Sequence, residues 1–311
     1  MEVLITGGTG FVGNALVKEL VKHNHRVILC VHRAMPAQQE VSFVKMPEQG
    51  QLLPADLISR VDAVVNLAGY NIAAGRWNKR VKDLILSSRL QVTRQIVQSM
   101  IRNRAAGRPY PRVLLNASAV GYYGCHASNV FDETSPPGEG FLAAVCRAWE
   151  QEAGAAEDLG VRVARCRFGI VLGAGGGVLE KIIMPYRWGL GGYIGDGKQW
   201  VSWIQLIDLV RIMTLALADE RFQGAFNLCS PQAVTVAEMH RHLARVLGKT
   251  CRTRLPAWVA GLLFGDMAWE LLLQGQRVRP KKLLEMQIPF SYPDIASALA
   301  ASVSLLPVQN C

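Results

Sequence analysis

The chain begins with a short apolar strand that runs directly into a glycine-rich turn and then into an amphipathic helix. Residues 3–13 read Val-Leu-Ile-Thr-Gly-Gly-Thr-Gly-Phe-Val-Gly. Gly7 permits a tight bend, Gly10 lets the backbone approach a pyrophosphate, and Gly13 lets the helix pack closely on the strand. The free N–H groups at the start of that helix point at the phosphates. Because a second strand follows at residues 26–31, the pattern predicts the first β-α-β unit of a dinucleotide-binding domain.

The cofactor that such a unit binds is selected at the end of its second strand. An acidic residue there binds the ribose 2′-hydroxyl of NAD, whereas an arginine accommodates the 2′-phosphate of NADP. This chain has His32 and Arg33 at that point and no acidic residue from position 26 to position 39. NADP is therefore favoured over NAD. The alternative interpretation is that Arg33 is only a solvated loop residue.

Two later apolar runs are typical of strands buried on both faces of a parallel sheet. One covers residues 62–67 and leads into Ala68-Gly69, and the other covers residues 113–117. Open parallel sheets bind ligands at the carboxyl ends of their strands. The predicted fold class is therefore α/β, with a Rossmann-type doubly wound parallel sheet. The residues predicted to bind the cofactor are Gly7, Thr9, Gly10, Phe11, Val12, Gly13, His32, Arg33, Leu67, Ala68 and Gly69.

The candidate catalytic residues follow the strand at residues 113–117. They are Ser118, Tyr122 and Tyr123, within the segment Asn-Ala-Ser-Ala-Val-Gly-Tyr-Tyr-Gly. A serine and a tyrosine at a strand end can polarise and protonate a carbonyl oxygen beside a nicotinamide. The alternative interpretation is a strand-end serine next to a surface aromatic pair.

The second half of the chain is predicted to complete the substrate cleft. A helical period covers residues 77–104, and residues 255–278 are interpreted as a further leucine-rich helical segment. Between them, residues 175–203 are rich in glycine and aromatic residues, which suits either a substrate-covering loop or a plain packed loop. The predicted domains are a dinucleotide-binding domain at residues 1–229 and a smaller, mostly helical domain at residues 230–311 that covers the substrate cleft.

Charge and cysteine usage exclude several classes of function. The formal charge of +10 is spread along the chain rather than concentrated in a block, so nucleic-acid binding is not expected. The seven cysteines form no C-x-x-C pair and have no histidine at ligand spacing. They are therefore interpreted as free thiols in a reducing compartment, without a metal site, and a metal-dependent hydrolase or nuclease has no ligand cluster to support it.

Targeting signals are also not apparent. The chain starts in a strand rather than a signal peptide, and the apolar stretch at residues 258–273 is interrupted by Asp266 and Glu270. The prediction is a soluble, cytoplasmic protein without a membrane partner, a monomer or homodimer that acts on a small molecule.

Taken together, the motifs resemble the extended short-chain dehydrogenase/reductase group, the NAD(P)-dependent sugar epimerase/dehydratase family. More narrowly, they resemble the branch labelled "epimerase family protein", whose biochemical role is poorly defined. The resemblance covers nearly the whole chain and rests on residues 6–13, 66–69, 118–124, 189–192, 203–204, 208–209 and 276–283. It implies a phosphate loop at Gly7, Gly10 and Gly13 and a catalytic serine at Ser118.

The resemblance also implies that the family's catalytic Tyr-x-x-x-Lys pair is missing. Glu150 resembles the glutamate that follows the family's lysine by four residues, which puts the lysine position at Cys146 and the tyrosine position at Leu142. In the family the lysine lowers the pKa of the tyrosine and holds the nicotinamide ribose, and neither leucine nor cysteine can do either. A second departure is Gln205, where relatives often have histidine.

Two hypotheses therefore remain open. The first is an NADP-dependent oxidoreductase or epimerase that acts on a small polar carbonyl or sugar-like substrate, with Tyr122 or Tyr123 as the acid. The second is a non-catalytic NADP(H)-binding sensor or regulatory protein.

Overall fold

Strands and helices alternate through the first half of the chain in the computed structural model, which describes residues 1–32 and 40–306. The strands are β1 (Glu2–Thr6), β2 (Arg26–Val31), β3 (Val41–Lys45), β4 (Ala63–Asn66), β5 (Val113–Ala119), β6 (Val130–Phe131), β7 (Arg162–Phe168), β8 (Ile170–Leu172), β9 (Gly192–Ile194), β10 (Trp200–Val201), β11 (Trp203–Gln205), β12 (Gly224–Leu228), β13 (Val234–Thr235), β14 (Thr253–Leu255) and β15 (Arg277–Val278). The α-helices are α1 (Phe11–Lys22), α2 (Ala55–Arg60), α3 (Lys79–Ala105), α4 (Phe141–Gly154), α5 (Gly177–Arg187), α6 (Leu206–Ala218), α7 (Val236–Val246), α8 (Ala257–Phe264), α9 (Lys281–Glu285) and α10 (Ile295–Ser304).

Among the described residues, seven strands form one parallel sheet in the order β12-β7-β5-β4-β1-β2-β3. The chain moves outward from β1 to β3 and then crosses back to place β4 on the other side of β1. This reversal creates a switch point between β1 and β4, where sheets of this kind have their ligand crevice. The predicted α/β fold with a Rossmann-type doubly wound sheet is confirmed.

Helices cover both faces of this sheet, and the alternation of side chains along each strand builds two separate cores. Val3 and Ile5 of β1 pack into one core with Leu16 of α1. Leu4, between them, packs into the opposite core with Ile96 of α3. The helical period predicted over residues 77–104 is the long helix α3.

The C-terminal part of the chain is largely helical, and each of its short strands pairs with a strand that precedes residue 229. β13 pairs with β10, β14 with β9, and β15 with β6. A third core packs α5 against α7 and α10. The division of the chain at residues 229 and 230 stays a prediction.

The interpretation of residues 255–278 as continuously helical is wrong. α8 ends at Phe264, Gly265 adopts a positive φ of 60°, and a five-residue π-helix follows at Ala268–Leu272 before the strand β15. The π-helix brings Glu270 to the start of α4, where its carboxylate accepts hydrogen bonds from the backbone N–H groups of Phe141 at 3.1 Å and Leu142 at 2.9 Å. No helix in the described ranges is long and apolar enough to cross a membrane.

Candidate functional site

The β1–α1 turn and the end of β4 are in close contact, and this contact requires glycine. Gly7 has a φ of +72°, and a Cβ at this position would lie 2.6 Å from the carbonyl carbon of Leu67. A Cβ at Gly13 would lie 2.4 Å from the carbonyl oxygen of Gly7. Only glycine fits at both positions. The end of β4, the β1–α1 turn and the start of α1 therefore approach one another closely, which is the geometry that a dinucleotide site requires.

The N-terminus of α1 offers its N–H groups to a ligand. Gly10 is the residue that precedes the helix, so no side chain caps it, and the first turn of α1 contains no acidic residue. Thr9 and Gly10 are exposed, Phe11 and Val12 are half-buried, and Gly13 is buried. The residues of this turn therefore fit an anionic group at the helix N-terminus.

Phe11 packs against a second glycine segment, residues 173–177, which leads into α5. A Cβ at Gly176 or at Gly177 would lie 2.8 Å from the ring of Phe11. α5 is in turn attached to the loop after β4, because Lys181 donates to the carbonyl oxygen of Ala73 at 2.9 Å. The glycine-rich region that the sequence singles out thus begins in direct contact with the β1–α1 turn.

The remaining predicted cofactor residues lie at the ends of β2 and β4. His32 is exposed immediately after β2, and Arg33 lies outside the described residues. The N–H of Leu67 donates to Thr6 at 3.0 Å, and the N–H of Ala68 donates to the side chain of Asn66 at 3.3 Å. These bonds keep residues 67–69 beside the glycine turn.

A buried amide network joins the strand ends beneath this edge. Asn66 accepts a hydrogen bond from Thr6 at 2.6 Å and donates to Asn116 at 2.7 Å and to Thr93 at 2.8 Å. Trp149 of α4 donates to the same Thr93 hydroxyl at 2.9 Å. Because each of these buried groups is paired, β1, β4 and β5 are fixed relative to α3 and α4.

Ser118 lies at the end of β5 and belongs to a buried charged cluster. Its hydroxyl donates to Glu150 Oε1 at 2.7 Å, and Arg167 of β7 binds the same carboxylate through Nε and Nη2, both at 2.8 Å. Burial alone would lower the pKa of Arg167, but the hydrogen bonds and charge of Glu150 raise that pKa above its usual value. The Ser118 proton is therefore directed at Glu150 in this arrangement.

The two predicted catalytic tyrosines have different environments. Tyr123 is 2% exposed, accepts a hydrogen bond from Arg167 Nη1 at 2.8 Å and donates to Asn227 at 2.7 Å. Burial raises the pKa of Tyr123 above its usual value. Tyr122 is half-buried with its ring 3.5 Å from Arg167 Cζ, and within the described ranges its hydroxyl has no hydrogen-bond partner. A ligand can reach Tyr122 more readily than Tyr123.

Leu142 and Cys146, the positions that the resemblance assigns to the Tyr-Lys pair, lie in the first two turns of α4. A Cβ at Gly121 would lie 3.6 Å from Leu142 Cβ, so Leu142 faces the turn that carries Tyr122. Cys146 is buried, and burial raises the pKa of its thiol to about 11. Gln205, the other departure, caps α6 by accepting a hydrogen bond from the backbone N–H of Ile207.

Arg167 and Asn227 organise this cluster, and neither was predicted from the sequence. β7 contains three arginines, and no local pattern shows that Arg167 is the one buried against Glu150, where a guanidinium needs a carboxylate partner. Asn227 carried no signal either. Among the residues that the structure describes, no group of three or more His, Cys, Asp or Glu side chains is placed to hold a metal ion.

A glycine cradle at the switch point of a doubly wound sheet defines the class of Rossmann-type nucleotide-binding proteins. Comparison with known families narrows this class. The chain belongs to the NAD dependent epimerase/dehydratase family, whose model matches residues 3–229. A second family model, described as a domain of unknown function (DUF1731), matches residues 255–302.

Individual relatives match over almost the entire chain. The Arabidopsis thaliana epimerase family protein SDR39U1 homolog, chloroplastic, is 37% identical over 97% of this chain and 86% of the relative. The Mycobacterium bovis epimerase family protein Mb2239 is 37% identical over 96% of both chains. The crystal structure of human epimerase family protein SDR39U1 with NADPH superposes with a TM-score of 0.85 at 32% identity, covering 98% of this chain and 100% of the human one. The expected "epimerase family protein" branch is confirmed.

Proposed function

We propose that this chain binds NADP(H) across its β1–β4 switch point. The observation that carries the proposal is the cradle in which Gly7 and Gly13 leave no room for a Cβ, beside an α1 N-terminus without a side-chain cap. The human relative, crystallised with NADPH, supports the choice of the phosphorylated dinucleotide. Arg33 and the absence of acidic residues at positions 26–39 support the same choice from the sequence.

We further propose that the protein is an oxidoreductase that reduces a small polar carbonyl or sugar-like substrate. NADPH supplies the hydride when it is bound. Tyr122 donates the proton to the carbonyl oxygen, because its hydroxyl has no partner within the described residues and it follows Gly121, which lies beside Leu142, where the resemblance places the family's tyrosine. Arg167 stabilises negative charge on that ring from 3.5 Å. A neutral phenol is a better acid than base at neutral pH, which favours reduction over alcohol oxidation.

A specific observation favours a second candidate, a nucleotide-binding sensor without turnover. The Ser118 hydroxyl donates to Glu150 and the Tyr123 hydroxyl to Asn227, so two of the three candidate catalytic groups are already used inside the fold. A sensor needs the nucleotide cradle but not these protons.

The test is calorimetric titration of the full chain with NADPH and NADH, followed by a screen for NADPH consumption with carbonyl compounds. We expect NADPH to bind more tightly than NADH, and Arg33→Asp to remove or invert that preference. Failure to bind either dinucleotide would contradict the proposal. Tight NADPH binding without turnover across a broad screen would favour the sensor.

We propose that the protein is cytoplasmic, that it is a monomer or homodimer, and that its substrate is a small molecule. The described cysteines, six in number, are free thiols, which is typical of a reducing compartment. Cell fractionation of a tagged form tests the location. Sedimentation of the purified protein tests the oligomeric state.

A further inference from the structure

The helix α8 is apolar on every side and yet largely exposed. Each residue from Ala257 to Phe264 is apolar or glycine, and within the helix only Ala260 is buried. Trp258 is 72% exposed and Leu262 is 69% exposed. A helix without a polar face is normally enclosed by protein or by lipid. Because the described part of the chain does not enclose α8, its exposed side is a candidate interaction surface.

Trp269 of the π-helix extends this exposed side. Trp258, Gly261 and Leu262 lie on one side of α8, because residues three and four positions apart in a helix are neighbours. A Cβ at Gly261 would lie 3.8 Å from Trp269 Nε1, and Trp269 is 51% exposed. Trp258, Leu262 and Trp269 therefore form one surface, which we call the α8 patch.

Arginines lie at both ends of the α8 patch. Arg252 and Arg254 are exposed in the segment that leads into α8. At the other end, a Cβ at Gly265 would lie 3.1 Å from Nε of Arg76, which is also exposed. Within residues 1–32 and 40–306, none of these three arginines forms an ion pair. The rim of the patch therefore has positive charge that is free to meet an anionic surface.

The acidic residues of the same segment do not cancel this charge. Asp266 pairs with Lys82 at 2.6 Å, and the hydrogen bond and charge of Lys82, followed by the charge of Arg76, lower the pKa of Asp266 below its usual value. Glu270 accepts its hydrogen bonds at the start of α4. Both carboxylates thus have partners within the fold.

We propose that the α8 patch docks on an anionic lipid surface. The indole and leucine side chains lie between the headgroups and the acyl chains, and the arginines lie against the lipid phosphates. Tryptophan is enriched at membrane interfaces, and arginine near an anionic leaflet strengthens binding. Apart from the indole N–H groups, the patch side chains offer no hydrogen-bonding atom, which favours a fluid apolar medium over a protein partner with a fixed polar pattern.

A second copy of this chain fits the patch less well. Two α8 patches in contact would bring their arginines together, and like charges at an interface are unfavourable. Docking on a lipid surface requires neither the length nor the unbroken apolarity of a membrane span. The inference goes beyond the proposed function and does not depend on it.

The test is co-sedimentation of the full chain with large vesicles of phosphatidylcholine, and of phosphatidylcholine mixed equally with phosphatidylglycerol. We expect the mixed vesicles to bind about 10-fold more tightly or better at low salt, and this advantage to shrink at high salt. Trp258→Ser and Leu262→Ser should each weaken binding to the mixed vesicles about 10-fold, since each removes a side chain that the interface buries. Leu305→Ser is the matched control, because Leu305 is 65% exposed but follows α10.

Two further variants test the charge and leave the α8 patch intact. Arg76→Gln and Arg254→Gln should weaken binding to the mixed vesicles and not to phosphatidylcholine alone. Wild-type protein that does not bind the mixed vesicles at low salt would overturn the inference. Full binding by both serine variants would do the same. A wild-type dimer that Leu262→Ser converts to a monomer would assign the patch to a second copy instead.

Discussion

At the scale of single residues, Arg167 determines what each neighbouring side chain can do. It holds Glu150 with two hydrogen bonds and Tyr123 with a third, and it lies under the ring of Tyr122. Arg167 therefore fixes the Glu150 carboxylate and the Tyr123 hydroxyl, whereas the Tyr122 hydroxyl remains free within the described residues. The adjacent tyrosines, equivalent in the sequence, are not equivalent in the fold.

Phenylalanine substitutions are expected to separate the two tyrosines. Once a carbonyl substrate is found, Tyr122→Phe should lower the rate about 100-fold or more with NADPH affinity retained, because it removes the proton donor. Tyr123→Phe should instead lower the free energy of unfolding by about 1–3 kcal/mol, since it removes the hydrogen bonds that the Tyr123 hydroxyl makes with Asn227 Oδ1 and Arg167 Nη1. Steady-state rates and urea unfolding of both variants check this. A fully active Tyr122→Phe would remove Tyr122 from the mechanism.

At the scale of elements, the β1–α1 unit has little room for an added atom. Gly13→Ala places a Cβ 2.4 Å from the Gly7 carbonyl oxygen, a contact that the backbone must move to relieve. We expect a loss of about 1–3 kcal/mol in the free energy of unfolding, together with a clear loss of NADPH affinity, because overpacking shifts the β1–α1 turn, where we propose that the phosphates bind. Urea unfolding and calorimetric titration measure the two effects.

The matched control is Gly75→Ala, because a Cβ at Gly75 has no heavy atom within 4 Å. This variant should match the wild-type protein in both measurements. An unaltered NADPH affinity in Gly13→Ala would show that the glycine turn is not part of the nucleotide site.

Elements that are specified by local pattern were predictable, and those that depend on distant partners were not. The glycine turn, the buried strands and α3 follow from periodicity and from the demands of the turn. Residues 255–278 are leucine-rich, yet α8 ends at Phe264, and the chain after it brings Glu270 to the N-terminus of α4. No local signal indicates a cap that comes from 129 residues away.

The same reasoning applies to the candidate site. Ser118 was predictable from its place at a strand end, whereas its bond to Glu150 depends on the packing of α4 against β5 and β7. The sequence predicts a catalytic tyrosine at residues 122–123, but only the geometry of the turn shows that Tyr122 is the more accessible of the two. Long-range packing, rather than local propensity, decides which polar groups remain free.

At the scale of the whole molecule, a buried histidine makes stability sensitive to acid. His240 of α7 lies in the packing between α5 and α7, where Tyr186 is hydrogen-bonded to its Nδ1 at 2.9 Å. Burial lowers the pKa of His240 from 6.5 to about 4. The His240 ring therefore stays neutral in the folded protein over a pH range in which it is protonated in the unfolded chain.

The direction of the pH dependence follows from this difference. The contribution of the neutral His240 ring to the free energy of unfolding is fully present above pH 6.5 and is lost as the pH falls toward 4. At 1.36 kcal/mol per pKa unit, the loss amounts to about 2–3 kcal/mol by pH 4.5. His240→Gln, which keeps an acceptor for Tyr186, should show a smaller fall in unfolding free energy between pH 7.5 and pH 4.5 than the wild-type protein.

Urea unfolding of the wild-type protein and of His240→Gln at the two pH values measures the difference. An identical fall in the wild type and His240→Gln would contradict the assignment.

The contact between Phe11 and the glycines at positions 176 and 177 also has a thermodynamic consequence. Glycine loses more conformational freedom on ordering than any other residue, so ordering this segment against the Phe11 ring has an entropic cost. That ring belongs to the β1–α1 turn, where we propose that the phosphates bind, and the segment opens α5. We therefore expect NADP(H) binding and the ordering of α5 to be coupled. By reciprocity, whatever orders α5, a substrate or a partner, should raise the affinity of the adjacent turn for its nucleotide by the same factor.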